Sequence, residues 1–192
     1  LSWATPWCRE IKARYPAVTI VWGGYFPSVY PEAVCRDAGV DYAVLNQGEE
    51  TAVELLEALT EGRDPAGIPG LAVWRDGALI RGALRPWTRS SRYPMPPYDR
   101  LPMEDYAAKT FLGSRTYNHH SSVGCPYTCN FCAVTSVANG SWIPDRAKDV
   151  IETVRLLHDR YQANAIEFHD NNYFAAERRC FEVARGIADL GA

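Results

Sequence analysis

An alternation of helical and strand-like segments fills the first sixty residues, and it limits the fold more than any single motif does. Ala17–Trp22 (AVTIVW) is a short apolar, β-branched run and Asp41–Leu45 (DYAVL) is a second, with helical patterns before, between and after them. Strands with no polar face suit a parallel sheet that is covered by helices on both sides. Thr5 as N-cap with Pro6 behind it predicts the opening helix. Pro31–Ala38 predicts a short helix, and Glu50–Glu61 a longer one with Val53, Leu56 and Leu59 on one stripe and Gly62 as its stop. Helix, strand, helix, strand, helix is the C-terminal half of a doubly wound α/β domain, here assigned to residues 1–68.

Leu71–Arg81 (LAVWRDGALIR) has two apolar arms around Asp76-Gly77, a strong type I′ hairpin signal, so residues 69–82 are expected to form a β-hairpin. Residues 83–106 carry Pro86, Pro94, Pro96, Pro97 and Pro102 and read as an extended connector. Beyond it, Thr116–Val123 predicts a strand, Asp145–Tyr161 a helix with Val150, Ile151, Val154, Leu157 and Tyr161 on one stripe, Ala165–His169 a strand and Glu177–Leu190 a helix. Two β/α units cannot close a sheet, so residues 107–192 read as the opening of a β/α barrel.

The 20 Lys and Arg residues are scattered and the net charge is −3, which argues against a nucleic-acid footprint or a polybasic membrane patch. No apolar run is long enough to span a bilayer and no signal peptide is visible, so a cytoplasmic protein acting on a small molecule is expected. Leu1 is not a Met, and Leu190-Gly191-Ala192 is a helix stop with nothing after it. Both ends read as cut, as in an internal piece of a longer protein.

Six cysteines fall at 8, 35, 125, 129, 132 and 180, and only the middle three are clustered, in GCPYTCNFC. Cys8, Cys35 and Cys180 sit in helical patterns as small buried hydrophobes. Three thiolates within eight residues would repel one another unless a cation or cluster held them. Zinc takes four protein ligands and would have to recruit His119, His120 or a distant residue. An iron–sulfur cluster on three cysteines leaves one iron open to a substrate or cofactor, whereas electron-transfer clusters ordinarily take four. The cysteines could also be unligated.

GCPYTCNFC resembles the cluster-binding motif of the radical S-adenosylmethionine (SAM) enzymes, three cysteines spaced C-x3-C-x2-C with an aromatic residue before the last. The resemblance implies that Cys125, Cys129 and Cys132 hold a [4Fe-4S] cluster, that SAM chelates its open iron and that Phe131 lies against the adenine. It also implies that Asp170, Asn171 and Asn172, after the second barrel strand, help to hold SAM, with Trp142 and Arg146 bordering the site. An electron donor such as flavodoxin or ferredoxin is implied as a partner.

WGGYFPS followed by DYAVLNQGEET resembles the later half of the cobalamin-binding domain that precedes the barrel in one large subclass of these enzymes. It implies cobalamin beside Gly23, Gly24, Gly48 and Glu49, at the strand ends where doubly wound sheets bind ligands. Relatives commonly have Gly-Glu-Gly-Glu where this chain has Asn46-Gln47-Gly48-Glu49. Asn46 can keep the left-handed loop shape, while Gln47 removes a charge. The implied activity is reductive SAM cleavage for radical methyl transfer or rearrangement. Two alternatives are a radical SAM enzyme whose front domain binds no corrin, and a non-catalytic metal-binding module.

Overall fold

The structure, a computed structural model, describes residues 4–37 and 39–191. The expected helix end at Ala38 and the chain ends Leu1 and Ala192 lie outside them. In chain order the elements are α1 (Ala4–Arg14), β1 (Val21–Trp22), α2 (Tyr25–Val29), α3 (Pro31–Cys35), β2 (Tyr42–Val44), α4 (Glu49–Thr60), β3 (Leu71–Arg75) and β4 (Ala78–Arg81). There follow α5 (Met103–Tyr106), β5 (Thr116–His119), β6 (Ser122–Gly124), α6 (Ala133–Ala138), β7 (Trp142–Pro144), α7 (Ala147–Tyr161), β8 (Ala165–Phe168) and α8 (Glu177–Ala188). The chain divides into two compact units. One runs to Pro86 and includes Asn130–Val137, and the other comprises Trp87–Cys129 and the residues from Ala138 onward.

The first unit is built on a sheet ordered β1-β2-β3-β4, in which β1 and β2 are parallel and the hairpin β3–β4 is added antiparallel to β2. The absence of a polar face on DYAVL is explained by cover on both sides. Ala43 and Leu45 pack with Val34, Cys35, Val40 and Ala72, while Val44 packs with Leu55 and Leu71. AVTIVW is a strand only at Val21–Trp22. The Ile20 amide is taken by the Asp41 carboxylate at 2.7 Å and Lys12 Nζ donates to Val18 O at 2.6 Å, while Ile20 O accepts the Asp41 amide at 2.9 Å, so side chains take part of the ladder's place before Val21. Asp76 (φ 52°) and Gly77 (φ 78°) are both left-handed, as the hairpin signal requires.

The expected stripe on α4 is corrected. The buried face is Thr51, Leu55 and Ala58; Val53 and Leu56 are 55% and 64% exposed, and of the expected stripe Leu59 alone packs, half-buried, against the Leu55 cluster. Two apolar stripes interleave on this helix, and a threonine on one of them made it look the poorer core face. Thr51 is tolerated there because its hydroxyl donates to Pro69 O at 2.8 Å and accepts from Arg85 Nε at 2.9 Å.

In the second unit β5 and β8 are parallel neighbours, with Thr116 opposite Ala165 and His119 opposite Phe168. Helix α7 buries Val150, Val154 and Leu157. Leu157 joins Tyr117, Met103 and Ala163 in the core beneath the strands. The single strand expected over Thr116–Val123 is also corrected, because it breaks after His119. Its second part, β6, pairs antiparallel with β7 as a separate two-stranded ribbon. Among the described residues no helix is long and apolar enough to cross a membrane.

In this chain Leu55→Ala should lower unfolding free energy by about 2–5 kcal/mol, since it empties a fully enclosed site. Leu56→Ala should change it by no more than about 0.5 kcal/mol. Urea unfolding followed by circular dichroism checks the order, and equal losses would contradict the assigned face.

Candidate functional site

The cysteine loop leaves the second unit from the end of β6, and the root of that strand is held by a buried polar knot. Ser121 is wholly buried, with Ser122 and Asp145 at 4% exposure and Arg179 at 9%. The Ser121 amide and hydroxyl both donate to the Asp170 carboxylate, at 3.0 Å each, and the Ser122 hydroxyl donates to the same group. The Ser121 carbonyl accepts from the Asp145 amide at 3.0 Å and from Arg179 Nη2 at 2.6 Å. Arg179 Nε donates to Asp145 O at 2.9 Å, and Asp145 Oδ1 accepts the Ser91 amide at 2.9 Å. These partners explain why the strand breaks at Ser121: its backbone groups are already committed.

Gly124, immediately before Cys125, has φ 79°, and a Cβ there would stand 2.2 Å from Ser141 O. Only glycine fits at this turn into the loop. None of the three loop cysteines is in a disulfide among the described residues. Cys129 is exposed, whereas Cys125 and Cys132 are half-buried. Phe131, expected against an adenine, is 92% exposed. Trp142 lies opposite Gly124 across the ribbon, and its indole N–H is buried without an acceptor among the described residues. Arg146 is mostly exposed and pairs with Asp149 at 2.8 Å. Cys8 and Cys35 are buried, as expected of packing residues. Cys8 accepts the Trp22 indole N–H, and burial pushes the Cys35 thiol up to about 11.

The donor chemistry can be tested against a metal group. Thiolates on one zinc stand roughly 4 Å apart, and among the described residues no group of three or more His, Cys, Asp or Glu side chains converges in that way. Three cysteine sulfurs in one loop are soft donors, of the kind that zinc and iron–sulfur groups both take.

In the first unit the loops after β1 and β2 meet. Gly24 has φ 96°, with open space where a Cβ would point. Ser28 Oγ donates to Gly24 O at 2.7 Å and accepts the Asn46 amide at 2.8 Å, and Asn46 is left-handed with φ 58°. Glu49 opens α4, and a Cβ on Gly48 would come within 2.7 Å of Val44 Cγ1. Gly23, Gly24, Gly48 and Glu49 thus lie at the C-terminal ends of two neighbouring parallel strands.

The faces of β5–β8 differ. Tyr117, Ile166 and Phe168 pack inward beneath the strands or against aromatic neighbours, and Phe168 meets His119 edge-on at 6.0 Å. Asn118 stands in register with Glu167, His120 meets His169 at 6.1 Å, and Glu167 Oε1 is 3.5 Å from His169 Nε2. A cleft of about 480 Å³ opens beside this strand end, lined by Tyr93, Tyr98, Asn118, His119, His120 and Glu152 among others.

The sequence alone did not single out Ser121, Asp145 or Arg179. The only available signal was an arginine among the apolar positions of the last helix. Burial lowers the His119 pKa below its ordinary 6.5, with Asp170 and Asp145 opposing the shift and His120 and Arg179 adding to it. The neutral imidazole is therefore the form the fold accommodates, and stability that is full above the unfolded value of about 6.5 should fall as pH drops below it. Histidine-selective NMR should show His119 titrating below 6.5, and His119→Phe should flatten the loss of thermal stability between pH 7 and 5. A His119 resonance titrating at or above the ordinary value would contradict the assignment.

No family model matches the chain. An uncharacterised methyltransferase of Pyrococcus horikoshii is 32% identical over 91% of the chain and 38% of its own length. An anaerobic magnesium-protoporphyrin IX monomethyl ester cyclase of Synechocystis is 24% identical over 84% of the chain and 32% of its own length. The chain therefore spans less than two fifths of these curated relatives. Among solved structures, the radical SAM methyltransferase TsrM from Kitasatospora setae, with tryptophan substrate and a SAM analogue bound, superposes with a TM-score of 0.76 at 21% identity, covering 97% of this chain and 36% of that one. The cobalamin-dependent SAM radical enzyme OxsB, with aqua-cobalamin and SAM bound, superposes at 0.67 and 15% identity, covering 95% and 26%. The resemblance first carried by the cysteine motif is thus borne out: the chain is similar in sequence to methyltransferases and a cyclase, and it shares the α/β fold of cobalamin-dependent radical SAM enzymes.

Proposed function

We propose that this chain is part of a radical SAM enzyme in which Cys125, Cys129 and Cys132 hold a [4Fe-4S] cluster and the first unit binds cobalamin. The observation that carries the reading is the three-thiol loop, odd in its ligand count, leaving a clamped ribbon beside a parallel β/α pair. Its support from outside the chain is the fold shared with structures that contain these cofactors. When bound, the cluster would supply the electron for reductive cleavage of SAM, and the activity would be methyl transfer or rearrangement on a small molecule.

The chain's own residues have distinct tasks in this reading. The three cysteines, as thiolates, leave one iron without a protein ligand, so the protein reserves that position for SAM. Phe131 offers a ring face for the adenine, and Asn171 and Asn172 offer oxygen acceptors for the SAM ammonium. Asp170 belongs to the same segment. Because Ser121 and Ser122 already donate to its carboxylate, it contributes mainly by fixing the segment's course. Gly23, Gly24, Gly48 and Glu49 would face the corrin, the glycines letting backbone approach a bulky ligand. Residues 1–68 then form the later part of a cobalamin-binding domain, 69–82 its hairpin, 83–106 a connector and 107–192 the start of the barrel. A reducing cytoplasm and a flavodoxin- or ferredoxin-like donor suit this chemistry.

Gln47, where an acidic residue is common, favours a second reading in which the front unit no longer binds a corrin. Visible absorption of the full-length protein after incubation with cobalamin separates the two: retained corrin bands support the first, and their loss on desalting the second. Anaerobic reconstitution should give about four irons per protein, and the triple Cys125, Cys129 and Cys132→Ala variant should give none. Iron retained stoichiometrically by that variant would sink the ligand assignment.

A further inference from the structure

We propose that Arg179 is a positioning residue for Cys125, acting with Asp170 through Ser121 and Ser122, an inference that rests on the cluster reading above. The β6–β7 ribbon has only two strands, and two strands alone are marginal in water. Its direction must come from whatever holds its root. Ser121 precedes β6 and Asp145 follows β7, and the one guanidinium reaches both, through Nη2 to Ser121 O and Nε to Asp145 O. Both strands are therefore gripped at the same end, while Cys125 leaves from the other end of β6, about 10 Å away by strand rise.

The chemistry of the clamp is specific. Two carbonyls held by one side chain need donors in a fixed fork, which arginine has and lysine lacks. The guanidinium also lies over the Tyr173 ring, with Cζ 5.9 Å from its centre, so its plane is set by β8's following turn. Asp170 fixes the remaining polar groups of Ser121, its amide and hydroxyl, from the end of β8. A buried charge of this kind adds little stability compared with apolar packing, and its use is better explained by the single geometry it enforces. In this account α8 and β8 set where the first cluster ligand stands, and the cysteine loop itself only completes the set.

The test uses the full-length protein with Arg179→Met, Arg179→Lys and Asp170→Asn, and Arg178→Met as the control, because Arg178 is exposed and pairs only with Glu182 among the contacts described. Amide hydrogen exchange is measured on the metal-free protein. The amides of residues 121–125, Trp142, Ile143 and Asp145 should exchange at least about tenfold faster in both Arg179 variants, as expected for lost hydrogen bonds from a charged donor, with residues 150–157 of α7 unchanged. Asp170→Asn should accelerate 121–123 alone, and Arg178→Met should change nothing. After reconstitution, Arg179→Met should retain iron but show an altered electron paramagnetic resonance spectrum of the reduced cluster on adding SAM. Unchanged exchange in the ribbon, or acceleration shared equally by α7, would overturn the clamp and leave Arg179 a general packing residue. Wild-type protein that binds no iron would overturn the cluster reading by itself, and the exchange data would still decide the clamp.

Discussion

The bond between the Ser121 backbone and the charged groups of Asp170 and Arg179 is the constraint on which the second unit's functional end depends. Without it β5 would have no reason to stop at His119, and the chain would run on as one strand. Because Ser121 is completely enclosed, each of its polar groups needs a protein partner, and these are Asp170 just after β8, Asp145 just after β7 and Arg179 on α8. The strand must therefore bend where those residues are. The ribbon that carries Gly124 and Cys125 follows from that bend.

The first unit obeys a different rule. Its central strand β2 has apolar cover on both faces, from the Val34–Cys35 cluster on one and from Leu55 on the other. With both faces spent on packing, its polar opportunities lie at the strand ends. There the Gly24 and Asn46 loops are tied together by Ser28. Two residues with positive φ, Gly24 and Asn46, give those loops their shape, and Asn46 adopts the left-handed conformation that a glycine would take there without strain.

How much of this was legible in the sequence depends on how far apart the partners are. The hairpin at Asp76-Gly77 is a local event, since two positive φ angles and two apolar arms are written between Leu71 and Arg81. The α/β alternation and the cysteine spacing are equally local. The buried face of α4 is not legible locally, because burying Thr51 depends on Pro69 and Arg85, 18 and 34 residues away. The break at Ser121 was invisible for the same reason, its partners lying 49 and 58 residues further on. Asp170 is legible in the sequence as an acceptor after a strand, but the donors that occupy it, Ser121 and Ser122, lie 49 and 48 residues earlier.

On the proposed cluster reading, the odd number of thiols in GCPYTCNFC leaves one iron open for SAM. The most direct test of that reading is to incubate the reconstituted full-length protein with SAM and dithionite under anaerobic conditions and to quantify 5′-deoxyadenosine by mass spectrometry. 5′-Deoxyadenosine should form together with methionine, depend on reductant and be absent from the triple Cys→Ala variant. An intact cluster on Cys125, Cys129 and Cys132 that neither perturbs nor cleaves SAM would contradict it.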